Sequence, residues 1–249
     1  MKINKMFLRA QLVSRLRHSG WCLFAGLVAL ACNAGAQTPY RSPERWEGWI
    51  ASYEKQDAAN PPPKGAIVCL GSSSMVGWHE LIGFDLAPLT LVTRGFGGSN
   101  TNDALTYADR IVLPLAPRAI VFYEGENDIA EGVSPQLVAE TFDRFVDKVH
   151  AQYPQCRFYV LSLKPSPLRQ ALWPKMEATN AFLQERCAAD PLLTYVDVSA
   201  GMFNDDGSLK ADIFQSDRLH MNRKGYVGWR ETLLPVLLES ELAYESSAN

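Results

Sequence analysis

The sequence is poor in the residues that mark several common activities. Four histidines and five cysteines are spread over 249 residues, and none falls at the close spacing of a zinc site. No Gly-Lys-Ser/Thr follows a glycine-rich turn, which excludes a P-loop nucleotide site. No apolar run reaches the roughly 20 residues that a membrane-spanning helix needs. Positive charge is in deficit as well: the formal net charge is −3, which argues against nucleic acid as a partner. There is no internal repeat, low-complexity tract or linker to divide the chain.

What is present begins with a polarised N-terminus. Residues 1–36 carry Lys2, Lys5, Arg9, Arg15 and Arg17 with no acid, then an apolar run over 21–32, then Asn33-Ala34-Gly35-Ala36. That order predicts a secretory signal peptide cleaved after Ala36, and with it an exported, periplasmic or secreted protein with no stable membrane insertion. Cys32 raises lipoprotein processing, but Ala29-Leu30-Ala31 fits such a site poorly. Cleavage removes five basic residues and Cys22 and Cys32, leaving a chain of formal charge −8 with Cys69, Cys156 and Cys187. Cys69 sits in an apolar run as a buried thiol, whereas Cys156 and Cys187 flank strand starts and are candidates to pair in an oxidising compartment.

From 37 to 249 the pattern predicts one domain. Apolar runs at 66–70, 90–93, 119–123, 158–163 and 193–198 suit strands buried on both faces. Helical patterns at 102–111, 134–153, 173–188 and 222–239 alternate with them, and 45–53 places Trp46, Trp49, Ile50 and Tyr53 at helical spacing for core packing. Alternation of this kind predicts an α/β three-layer sandwich, with a five-stranded parallel sheet and helices on both faces. Functional residues then belong beyond the C-terminal ends of the strands.

Four short blocks fall there. The first strand runs into Gly71-Ser72-Ser73-Ser74-Met75-Val76-Gly77, the second into Gly95-Phe96-Gly97-Gly98-Ser99-Asn100, and the third into Glu124-Gly125-Glu126-Asn127-Asp128. Asp217-Arg218-Leu219-His220 precedes the last helix. A serine at a strand-to-helix turn is exposed, a glycine-rich loop leaves N–H groups open to an oxyanion, and an Asn amide can add a donor. An Asp three residues before a His can fold back onto Nδ1 and free Nε2 for a proton. Each block alone has a plainer reading as a helix cap or a turn. His79 and His150 lie in helical patterns and read as surface or packing residues.

Together these blocks resemble those of the SGNH hydrolases, the GDSL-type lipases and esterases, over most of the chain after the signal. The resemblance implies a flavodoxin-like sheet and a serine ester hydrolase. It puts the nucleophile at Ser73, the acid and base at Asp217 and His220, and the oxyanion donors at Ser73, Gly98 and Asn127. It implies no metal and no cofactor. One departure is Ser72, where most members carry Asp.

The implied substrates are small-molecule, glycan or lipid esters. The compact chain favours small or exposed esters such as O-acetyl or short acyl groups over lysophospholipase- or thioesterase-type lipid substrates. Trp78, Trp173 and the loop at 164–169 are candidates to border the cleft, with Arg94 and Lys164 as candidate rim charges. A non-catalytic carbohydrate- or partner-binding module on the same fold is the alternative of a different class. The export expectation has a direct check: the N-terminal peptide of the exported protein, identified by mass, should begin at Gln37, and an exported chain retaining Met1 would overturn it.

Overall fold

Strands buried on both faces need apolar residues at every position, because successive side chains point to opposite sides. In β1 (Ile67–Gly71) and β3 (Ala119–Tyr123) all five residues are buried. With β2 (Leu91–Gly95), β4 (Arg157–Leu161) and β5 (Leu193–Val196) they form one parallel sheet in the order β2-β1-β3-β4-β5. The computed structural model describes residues 40–245, and the expected signal segment at 1–36 lies outside them.

The alternating side chains feed two cores. Val68, Leu70, Ile120, Phe122, Phe158 and Val160 point into one. That core is closed by α1 (Glu47–Ala59), α4 (Thr101–Ile111), α6 (Pro135–Gln152) and α7 (Trp173–Ala188). Ile67, Cys69, Val121, Tyr123, Tyr159 and Leu161 point into the other, against the short α2 (Ser73–Val76) and α3 (His79–Asp85) and the long α8 (Arg223–Glu245). The three-layer sandwich expected from the alternation of runs is therefore the architecture observed. A short α5 (Glu126–Ala130) follows β3 and packs Ile129 against Val133, Val138, Leu163 and Met176. The connection after β1 runs to β2 on one side and the connection after the adjacent β3 runs to β4 on the other, so a crevice opens beyond the C-terminal ends of β1 and β3. Among the described residues, no helix is long and apolar enough to cross a membrane.

β4 and the last helix depart from the lengths the sequence predicts for tertiary reasons. The apolar run at 158–163 leaves the ladder after Leu161, because the Asn180 amide takes over the backbone of Leu163. Its Oδ1 accepts the Leu163 N–H at 2.7 Å and its Nδ2 donates to the Leu163 carbonyl at 3.1 Å. The last helix continues to Glu245 because its final turns are tied to the sheet. Glu241 is fully buried and accepts from Arg118 (3.0 Å), Arg157 (2.6 Å) and the Tyr159 hydroxyl (2.7 Å), and Glu245 accepts from Thr90.

The candidate disulfide is absent. Cys156 and Cys187 are buried free thiols, as is Cys69, and burial pushes each up to about 12. Both belong to the core that packs α6 and α7 on the sheet, where a thiol serves as a small apolar side chain.

Burial pushes the Glu241 carboxyl up, but Arg157, Tyr159 and Arg118 outweigh it and hold the group below the ordinary carboxylate range. A carboxyl held low in the folded state adds stability that is fully present above its unfolded value of about 4.3 and is lost as pH falls through the lower folded value. Glu241→Gln should therefore cost about 3 kcal/mol at neutral pH in urea unfolding, by leaving Arg118 and Arg157 without their shared acid. Its stability should also fall less steeply than that of the parent on acidification below about pH 4. Equal stability of the two proteins at pH 7 would sink this reading.

Candidate active site

Ser73 sits where β1 ends and the chain turns into α2, so its hydroxyl stands at the crevice rather than in either core. The turn is gripped from the far end of the chain. Tyr226 of α8 donates from its hydroxyl to the Ser74 carbonyl at 2.9 Å and stacks on Trp78, ring centres 5.6 Å apart. That contact explains the glycine at 77, where a β-carbon would collide with Tyr226 Oη. Ser72, where the resembling family usually has Asp, is buried and makes no side-chain cap to α2.

Asp217 and His220 lie in the loop before α8. Asp217 Oδ1 accepts the N–H groups of Leu219 (2.9 Å) and His220 (3.0 Å), which folds the carboxylate back on its own turn. Oδ2 then receives His220 Nδ1 at 2.6 Å, and His220 Nε2 stands 2.9 Å from Ser73 Oγ. The hydrogen bond from His220, with the two backbone donors, holds the Asp217 carboxyl down at about 2. Arg218 takes a left-handed backbone (φ 62°), a cost of about 1 kcal/mol that the surrounding bonds must offset. Those bonds include Gln215 N–H to the His220 carbonyl at 2.8 Å and the Asn222 amide to the carbonyls of Asp212 and Phe214.

Donors converge on Ser73 from two further strand ends. Gly98 has φ +89°, a conformation that glycine adopts without strain, and its place against Trp46 leaves little room for a side chain. The loop is fixed by the capping box that starts α4: the Asn100 side chain accepts from Asp103 N–H at 2.9 Å while Asp103 Oδ2 accepts from Asn100 N–H at 3.1 Å. Among the described residues, the backbone N–H groups of Ser73 and Gly98 meet no acceptor. Asn127, at the start of α5, donates one amide hydrogen to the Ser99 carbonyl at 2.8 Å. Asp217, His220 and Ser73 are thus joined by hydrogen bonds, and Gly98 and Asn127 line one cavity.

Behind the loop lie carboxylates that stay out of the crevice. Glu124 accepts from Ser99 Oγ at 2.5 Å, and burial pushes its carboxyl well above the ordinary range. Asp128 accepts the Thr101 N–H at 3.1 Å, and burial raises it to about 6. Among the described residues, no group of His, Cys, Asp and Glu is placed to hold a metal ion.

Several side chains fall elsewhere than composition suggested. Trp78 is fully buried, stacked on Tyr226 and hydrogen-bonded to Asp85 at 2.7 Å, so it supports α3 and borders no cleft. Arg94 is buried and bound to Asp57 at 2.6 Å, and Lys164 is buried on Glu126 at 3.1 Å; neither is a rim charge. Trp173 packs beside Ile129 and Leu163 and against Phe203. His79 accepts the Gly95 N–H on Nε2 at 3.1 Å, and burial with the Arg94 charge lowers it to about 4.

Trp46 moves the opposite way. It packs on the core, as its spacing suggested, but it also lies 3.1 Å from where a β-carbon on Gly98 would stand and lines a cavity of about 430 Å³ beside Asn127. Arg45, Glu131 and Arg169 line the same cavity. Arg169, the last residue of the 164–169 loop that the sequence offered as a cleft border, touches Asn127 directly, at 2.9 Å. Its only linear signal is its place four residues after two prolines begin to stiffen the loop that follows β4.

Comparison with known proteins agrees with this layout. Three solved structures share the fold. A Streptococcus pneumonia protein named for platelet activating factor is 24% identical, with TM-score 0.68 over 78% of this chain and 93% of its own. A GDSL-like lipase from Bacteroides thetaiotaomicron is 18% identical, with TM-score 0.67 over 77% of this chain and 98% of its own. An acetyl esterase, solved as a serine-to-alanine variant with an acetate ion, is 17% identical, with TM-score 0.55 over 70% and 96%. No curated protein sequence matches the chain. Residues 30–227 match the GDSL-like Lipase/Acylhydrolase family, and the chain belongs to that family.

Proposed function

We propose that this chain is a serine ester hydrolase that works through an acyl-enzyme. The observation that carries the reading is the chain of hydrogen bonds from Asp217 through His220 to Ser73, at 2.6 and 2.9 Å, between residues 147 positions apart. A bond of that kind has no role in packing an exposed loop, whereas it is what a nucleophile and its base require.

His220 Nε2 takes the Ser73 hydroxyl proton as Oγ attacks the ester carbonyl. Asp217 keeps its negative charge throughout and stabilises the imidazolium. The N–H groups of Ser73 and Gly98 and the second amide hydrogen of Asn127 receive the oxyanion. The proton on His220 passes to the leaving alkoxide, the acyl group stays on Ser73, and water activated by the same His220 releases the acid.

A small or exposed ester is the substrate this reading favours. The cavity beside Asn127 is lined by arginines, a glutamate and Trp46 rather than by an apolar channel, and the acetyl esterase shares the fold. A lipid acyl chain is the second reading, supported by the exposed Leu168, next to Arg169 and bonded to Arg218. Export of the mature chain, expected from residues 1–36, belongs to the same proposal.

Mature protein should hydrolyse p-nitrophenyl acetate. Ser73→Ala should abolish turnover, and Asn127→Ala should lower kcat about 100-fold with a smaller change in KM. Turnover that persists in Ser73→Ala would end the proposal. A kcat/KM higher on a long-chain p-nitrophenyl ester than on the acetate would replace the small-ester reading with the lipid one.

A further inference from the structure

Arg169 stands in the loop after β4, among residues that the motifs did not mark. Its guanidinium reaches two partners at once: Nη2 donates to Asn127 Oδ1 at 2.9 Å and Nη1 donates to Glu126 Oε1 at 3.0 Å. Glu126 is buried at the start of α5 and also accepts from Lys164 Nζ at 3.1 Å and the Tyr123 hydroxyl at 2.8 Å. Lys164 in turn donates to the Leu219 carbonyl at 2.9 Å, inside the turn between Asp217 and His220. Leu168 N–H adds a bond to the Arg218 carbonyl at 3.0 Å.

An asparagine amide has two ends of nearly equal shape and opposite polarity. Turned one way it offers an N–H to an oxyanion; turned the other way it offers a carbonyl oxygen, which repels one. Ser99 supplies only an acceptor to this amide, and Arg169 supplies only donors. Both partners are satisfied by one orientation, which leaves the second N–H of Asn127 unspent. The bond from the guanidinium to Oδ1 draws electron density from the amide and makes the remaining N–H a better donor. The loop itself is stiff: Pro165 and Pro167 fix two φ angles, and the Arg169 N–H closes on the Ser166 carbonyl at 3.1 Å.

We propose that Arg169 is a positioning residue for the oxyanion site, setting the Asn127 amide and, through Glu126 and Lys164, tying that amide to the Asp217–His220 turn. The inference rests on the serine-hydrolase reading for its kinetic consequence, though not for its structural one. Its physical content is that donor and base are held by one buried ion-paired assembly rather than by two independent loops. A surface ion pair would be worth little here. Glu126 and Lys164 are both almost wholly buried, so the geometry of one partner constrains the next.

The test is a double-mutant cycle between Arg169 and Asn127 on p-nitrophenyl acetate, with crystal structures of the single Arg169 variants. Arg169→Met should lower kcat about ten- to a hundredfold while KM stays within about twofold. With Asn127 already replaced by Ala, the same change should cost less than about threefold, because the amide that Arg169 positions is gone. Arg169→Lys, which keeps the charge but not the fork, should recover only part of the loss. Arg169→Gln carries the same cycle should the methionine variant not fold, judged by circular dichroism. In the crystal, Asn127 should be turned or displaced from the Ser99 carbonyl. Multiplicative losses in the cycle, or an amide that keeps its place without Arg169, would overturn the proposal. A silent parent enzyme would instead count against the function proposed above, and the amide geometry alone would then decide this inference.

Discussion

His220 has to stay within hydrogen-bonding distance of a serine 147 positions earlier in the chain, and nothing local can enforce that. The constraint is met by seating α8. Tyr226 and Trp229 press on Trp78, the Tyr226 hydroxyl donates to the turn that carries Ser73, and Arg223 pairs with the buried Asp85 at the end of α3. At its other end the same helix is pinned to the start of the sheet through Glu241 and Glu245. A helix fixed at both ends cannot slide or rotate by even part of a turn, so the loop that precedes it presents His220 at one place. The energy for this comes from aromatic burial and buried ion pairs distant from any reacting atom.

The sheet supplies the other half of the geometry. Because the chain leaves β1 toward β2 and leaves the adjacent β3 in the opposite direction toward β4, a crevice opens at the C-terminal ends of these strands. Ser73, Gly98 and Asn127 each follow one of those ends. Their convergence is a property of strand order, and the local chemistry of each turn refines it through the Asn100–Asp103 capping box and the positive φ of Gly98.

The strands themselves were legible because both faces of the sheet are buried, which writes β1 and β3 as unbroken apolar runs, and the candidate site because the polar blocks fall where such runs end or before the last helix. Side chains whose role depends on distant partners were not legible. Lys164 and Arg94 read as rim charges since a linear pattern shows charge but not the Glu126 or Asp57 that takes it inside. Trp78 read as a cleft aromatic because it follows the nucleophile block, whereas Tyr226, about 150 residues on, claims its face. Trp46 was half legible: its helical spacing announced packing, but its place over Gly98 arises only when α1 meets the loop after β2. Arg169 was marked only as the end of a loop that could border the cleft, since its contact with the Asn127 amide is not written in the linear pattern.

The three buried thiols bear on how such a chain matures. Among the described residues no sulfur–sulfur bond is made, so the native state asks nothing of an oxidant and nothing is lost in a reductant. Hazard is confined to the interval before the core closes, when Cys69, Cys156 and Cys187 are open to mispairing. Burial in the folded core, and not a sulfur–sulfur bond, is what keeps these three thiols from solvent.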